Sequence, residues 1–292
     1  MRLEHTPATE QIANKIVLLL DRSSLMPWDA ALPALGAFLN LLQVGDRFAV
    51  LGYRVRPTPI YPIVGLVTYD DRAVINQATN VLLSTTAGGE RSNLAAALAA
   101  SRKRLDSEPP PQGMVLVASS PSNYGRNPLG NLPDYPIETI ALGAHGQEDT
   151  LRAIAQKTGG TYAFAEDTGP LMSLLLDCIE RLGIAQILSV GSKTVPSQKP
   201  YNLVGRVPTD STTATFLVFW GDPAVTWGTG SGPAWVTAEL TDPNGKKYEG
   251  APVWANDGFA VFSVPSPTPG SWSLAATYVG PGTCTFTNAI LD

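Results

Sequence analysis

The sequence predicts an α/β chain: a doubly wound, mostly parallel sheet covered by helices, followed by an antiparallel β-sandwich. Three observations carry this expectation. Up to residue 183, short apolar runs alternate with segments of helical periodicity, the signature of a parallel sheet flanked by helices. From residue 184 the helical periodicity stops, and period-two runs rich in Val, Thr, Phe and Trp follow one another between turn signals such as "DPNGK" and "PSPTPGS". A length of 292 residues exceeds what one core usually organises, so two domains are expected, at residues 12–183 and 184–292.

The first half reads element by element. "KIVLLLD" is a buried strand, and "PWDAALPALGAFLNLLQ" sets Ala31, Leu35, Phe38, Leu39 and Leu42 at helical spacing, with Pro33 near the first turn. "GDRFAVLGY" is the next strand. "SNLAAALAASRKRL" is a helix entered through Ser92 or Asn93, whose side chains can accept a hydrogen bond from a free backbone N–H. "GMVLVASS" and "PIETIALG" are apolar enough for central parallel strands. "EDTLRAIAQKTGGTYAFA" gives a helix, a glycine stop at Gly159 and Gly160, and a strand. "PLMSLLLDCIERL" is a last helix ending at Gly183.

In the second half "TATFLVFW", "AWVTAEL", "GFAVFSV", "SWSLAATYV" and "TCTFTNAIL" are strands. Alternation places Phe216, Val218 and Trp220 on one face, Phe259 and Val261 on one face, and Trp272, Leu274 and Ala276 on one face. The two cysteines are too few for a disulfide framework. Cys178 falls on the apolar stripe of Leu171, Leu174, Leu175 and Leu182, and Cys284 alternates with Phe286, so both read as small core residues.

Composition narrows the function classes. Apolar residues make up 44% and charged residues 15%, as in a globular protein, and the formal net charge of −5 excludes the basic footprint of a nucleic-acid binder. No apolar run approaches the ~20 residues of a membrane-spanning helix. The polar start "MRLEHTPATEQ" lacks the apolar segment of a secretory signal, so a cytoplasmic location is expected unless such a signal has been removed. An enzyme is not expected: the two histidines, His5 and His145, stand in polar segments, and no Gly-x-Ser-x-Gly elbow, phosphate loop or dinucleotide fingerprint is present.

From strand-plus-"DRSS" through "GDRFAVLGY", "GGERSNLAAAL", "VLVASS" and "IETIALG" to "LRAIAQKTGGTYAFA", the first half resembles a von Willebrand factor A domain over residues 12–183. The order of this half and a sandwich bearing "LTDPNGKKY" and "PGSWSL" also looks like the core of calcium-activated chloride channel regulators and their bacterial relatives. The first resemblance implies a crevice at the carboxyl ends of the strands, where metal-binding members hold Mg²⁺ or Ca²⁺ at a metal-ion-dependent adhesion site, with ligands from three loops.

Against that pattern the first loop supplies Asp21 and Ser23, but Leu25 stands in place of the second serine. Ser92 replaces the threonine of the second loop, and Ser119, or Ser120 one residue on, stands where the third loop would carry an aspartate. Candidate metal ligands are therefore Asp21, Ser23 and Ser92. A missing negative charge forfeits several kcal/mol of gross attraction at an effective dielectric of ~20, so the site reads as degenerate and no cofactor is expected. The expectation is a non-enzymatic adaptor or protein-interaction protein, with Asp21, Ser23, Ser24, Leu25, Ser92, Ser119 and Ser120 at the binding surface. Metal-dependent surface adhesion, with Mg²⁺ or Ca²⁺ bound, and a structural subunit of a larger assembly are the alternatives. The polar stretch from Ser119 to Pro136 is a further candidate for the rim of the crevice.

Overall fold

The computed structural model describes residues 13–119, 124–143, 148–230 and 232–292. His5, Ser120 and His145 lie outside the described residues. Strand β1 (Lys15–Asp21) leads into α1 (Trp28–Asn40), then β2 (Arg47–Tyr53), β3 (Pro57–Tyr61), β4 (Val67–Thr68), α2 (Arg72–Leu83), α3 (Leu94–Leu105) and β5 (Gln112–Ala118). After β5 come β6 (Ile137–Leu142), α4 (Glu148–Thr158), β7 (Tyr162–Ala165) and α5 (Leu171–Arg181).

These strands form one seven-stranded sheet in the order β3-β2-β1-β5-β6-β7, with β4 also paired to β2. Strands β2, β1, β5, β6 and β7 run parallel, while β3 and β4 pair antiparallel with β2. All seven residues of β1 are buried, which is why its centre, Ile16 to Leu20, reads as unbroken apolar sequence. The chain leaves β1 toward β2 on one side and returns to β5 on the other, so the loops after β1 and β5 part at the carboxyl edge. An open parallel sheet has its crevice at such a point.

Helix α1 follows the expected pattern as far as Asn40, with Pro33 in its second turn. Helix α2 and the β3 hairpin were not expected. Asp71 caps α2 by accepting from the backbone N–H of Ala73 at 2.7 Å. Asn93 caps α3, its Oδ1 accepting from Ala96 N at 3.1 Å. The Thr-Gly-Gly-x-Tyr segment closes the sheet: Gly159 takes a positive φ of 75° after α4, and Glu138 of β6 accepts from the backbone N–H of Thr161 at 3.1 Å.

The second half holds β8 (Ile187–Pro196), β9 (Pro200–Val207), β10 (Thr213–Phe219), β11 (Thr226–Trp227), β12 (Trp235–Thr241), β13 (Trp254–Asn256), β14 (Phe259–Pro265), β15 (Gly270–Val279) and β16 (Thr283–Leu291). They form a five-stranded sheet, β13-β14-β10-β16-β8, and a four-stranded sheet, β11-β12-β15-β9. Pairing is antiparallel apart from the two-residue parallel match of β11 with β12.

Between these sheets lie Phe216, Val218, Trp220, Phe262, Trp272, Leu274, Cys284 and Phe286, in one apolar cluster. Phe216 of one sheet and Trp272 of the other have ring centroids 5.4 Å apart. The other face of the five-stranded sheet is buried too. Leu217, Phe219, Phe259, Val261, Ala289 and Leu291 belong to the cluster that contains α1 and α5. Phe259 and Val261 thus share a face, as alternation predicts, but that face meets the first half instead of the sandwich interior. Gly36 of α1 makes the approach close: a Cβ there would stand 3.2 Å from the ring of Phe259. The connection from α5 to β8 passes through buried Ile184 and Ala185, and Gln186 exchanges two backbone hydrogen bonds with Asp292.

Candidate functional site

Asp21 is the last residue of β1 and lies opposite Tyr53, the last residue of β2. Its side chain is fully buried. One carboxylate oxygen accepts from the backbone N–H of Ser23 at 2.8 Å, and the other accepts from the backbone N–H of Ser119 at 3.2 Å. Ser119 follows the end of β5, so Asp21 ties together the two loops that diverge from the sheet. A carboxylate that accepts backbone N–H bonds is stabilised where it stands without a cation.

Beside it, Ser23, Ser92 and Ser119 are each no more than 1% exposed. The hydroxyl of Ser119 points to Met26 and donates to its thioether sulfur at 3.4 Å. Met26, at 4% exposure, is part of the apolar core that fills in below α1. The phenol of Tyr53 is held well above its ordinary pKa, first by burial and then by the negative charge of Asp21, with the Ser92 hydroxyl acting in the opposite direction. From above, the chain after β5 folds back on the α3 entrance, where Tyr124 N–H donates to Ser92 O at 3.1 Å. The guanidinium of Arg91 stacks over the Tyr124 ring, 5.6 Å from its centroid.

The seven residues expected at the binding surface thus separate. Asp21, Ser23, Ser92 and Ser119 are brought together as a closed polar floor. Of the six that are described, Ser24 and Leu25 reach the surface, Leu25 with 49% exposure, and Ser24 N–H donates to Gly89 O at 2.8 Å. Mg²⁺ and Ca²⁺ take oxygen donors that converge on an open position, whereas here the lone carboxylate is engaged by backbone N–H groups and the third-loop hydroxyl faces sulfur. Among the described residues, no group of three or more His, Cys, Asp or Glu side chains could hold a metal ion. One donor stands apart from this: the hydroxyl of Ser23 is buried and has no hydrogen-bond partner among the described residues.

Around the mouth stands a feature the sequence reading did not identify. Arg54, Arg56 and Arg91 line a cleft of about 520 Å³ together with Val55, Thr58 and Glu90. The stem of Arg22 runs over Gly52, where a Cβ would stand 2.2 Å from Arg22 Cδ. Burial, and then the positive charge of Arg54, lower the pKa of Arg22.

A profile of the von Willebrand factor type A domain matches residues 14–164, more than half of the chain. The chain belongs to the von Willebrand factor type A family. Among solved structures, a von Willebrand factor type A protein from Catenulispora acidiphila is 17% identical with a TM-score of 0.54. The match covers 92% of this chain and 59% of that one, so the present chain spans a little over half of its length. The ArnB paralog VWA2 from Sulfolobus acidocaldarius is 13% identical over 92% of this chain and 57% of its own, with a TM-score of 0.47. A structure of proximal thread matrix protein 1 from the mussel byssus, described with a zinc-occupied MIDAS motif, is 16% identical over 58% and 45%, with a TM-score of 0.48. At these identities the likeness is one of fold. No curated protein matches the chain. No helix among the described residues is long and apolar enough to cross a membrane.

Proposed function

We propose that this von Willebrand factor type A chain is a non-enzymatic protein-interaction protein that engages its partner at the rim of the crevice without a metal bridge. The single observation behind this reading is the way Asp21 is spent: its two oxygens hold the backbone of Ser23 and of Ser119 at 2.8 and 3.2 Å, while the Ser119 hydroxyl is turned to Met26 sulfur. A site wired in this manner is rigid scaffolding for the loops above it. Leu25, half exposed at the mouth, then serves as an apolar contact for the partner.

The competing reading is a metal-bridged adhesion site, which the unpartnered buried hydroxyl of Ser23 favours. Titration calorimetry with Mg²⁺ and with Ca²⁺ separates the two. The parent chain is expected to bind neither, and Leu25→Ser with Ser119→Asp is expected to create Mg²⁺ binding; tight binding by the parent would overturn the proposal. In affinity capture from the native host, the partner should be retained in chelator and lost with Leu25→Asp.

A further inference from the structure

The arginines at the mouth are distributed over three loops, and the fold alone gathers them. Arg22 follows β1, Arg54 and Arg56 flank the turn from β2 to β3, and Arg91 precedes α3. Backbone hydrogen bonds join these loops: Arg22 N to Tyr53 O at 2.9 Å, Gly88 N to Arg22 O at 2.9 Å, and Asn93 N to Arg54 O at 2.8 Å. Two of the guanidiniums are tethered through neutral carbonyls, Arg22 Nε to Thr86 O at 3.0 Å and Arg54 Nη1 to Gly88 O at 2.9 Å. A carbonyl fixes the direction of a guanidinium and leaves its charge uncompensated.

Among the described residues, the ion pairs lie elsewhere, at Arg47–Glu108, Arg102–Asp106, Arg181–Glu138 and Lys247–Glu239. Within the cleft the three arginines outnumber the one carboxylate, Glu90, and Arg22 is close enough for its charge and that of Arg54 to repel. This is a concentrated positive field on a molecule whose formal net charge is −5.

We infer that this cleft receives an acidic segment of a protein partner, whose carboxylates pair with the guanidiniums of Arg54, Arg56 and Arg91. The inference rests on the metal-independent interaction proposed above and names the chemistry of the partner. Guanidinium forks match carboxylates bidentately, and pairs at a rim are salt-sensitive. A cleft of about 520 Å³ takes a few side chains of an extended peptide, and the overall negative charge opposes a long polyanion such as nucleic acid.

The test is fluorescence polarisation with a labelled octapeptide rich in glutamate, in chelator, against the full chain. Arg56→Gln with Arg91→Gln is the main variant, because neither side chain donates a hydrogen bond to another described residue. Its affinity should fall at least about tenfold, as for arginine anchors at interfaces, while Lys193→Gln on β8 leaves affinity unchanged. High salt should weaken binding by the parent. Absence of binding by the parent, unchanged affinity in the double variant, or equal binding of single-stranded DNA of the same charge would each overturn the inference. If native partner capture in chelator survives Arg56→Gln with Arg91→Gln, the acidic segment is excluded and the metal-independent crevice stands; if the parent chain loses capture in chelator, both fall. A folded state checked by circular dichroism, with Arg54→Gln as a second variant, keeps the result interpretable.

Discussion

The hydroxyl of Ser119 donates to the sulfur of Met26 at 3.4 Å, in the loop that follows β5. Sulfur is a weak acceptor, so Ser119→Ala is expected to cost less than about 1 kcal/mol in urea denaturation. Asp21→Ala differs because it strands the backbone N–H groups of Ser23 and Ser119. At about 1–3 kcal/mol for each buried group left unsatisfied, it should cost several times as much.

Ser23→Ala distinguishes scaffold from ligand. The variant deletes a buried hydroxyl that has no partner among the described residues and keeps the backbone N–H that Asp21 holds. Removing an unsatisfied polar group is neutral or stabilising. Thermal melting in chelator and in Mg²⁺ should therefore show an equal or higher Tm than the parent in both buffers.

Phe259 tests the seam between the halves. The ring is fully buried, lies 3.2 Å from where a Cβ on Gly36 would be, and stacks on Trp254 with centroids 5.9 Å apart. Phe259→Ala is expected to cost about 3–5 kcal/mol, the usual range for a core phenylalanine. Gly36→Leu, which forces extra volume against the same ring, should cost about 1–3 kcal/mol. Calorimetry should find the transitions of both halves moving down together; a shift confined to one half would contradict a shared core.

The cysteines give a prediction with pH. Burial pushes the Cys284 thiol up to about 12 from an ordinary value near 9.0, and it raises the Cys178 thiol further. Neither should react with a thiol reagent at pH 8 in the native state, and both should react in denaturant. Because the folded state binds these protons more tightly than the unfolded chain, their contribution is full below pH 9.0 and declines as pH rises toward 12. The Tyr53 phenol, also raised, acts in the same direction.

The mostly parallel sheet and the antiparallel second half were legible because parallel strands and strand–turn–strand runs write their burial directly into sequence. Strand β3 was not, since Pro57 and Pro59 read as breakers, and only an edge position next to β2 tolerates them. Helix α2 hides its buried stripe of Ile75, Ala78 and Leu82 among Asn76, Gln77 and Asn80. The closure around Asp21, Ser23, Ser92 and Ser119 was invisible: that Met26 would be the acceptor for Ser119 depends on how the turn after β1 packs beneath α1. The arginine cleft was equally hidden, because Arg22, Arg54 and Arg91 are far apart along the chain and meet only through the topology of three loops. The apolar runs of β10 and β14 did carry a signal. Their unbroken hydrophobicity marks a sheet covered on both faces, which simple alternation does not produce.

That double cover has a practical consequence for anyone handling the protein. A chain cut at Gly183 would strip the wall formed by Leu217, Phe219, Phe259 and Val261 from α1 and α5, leaving a broad greasy face in water. Expression of the amino-terminal half by itself should therefore yield aggregates, and trimming by proteases should spare the junction.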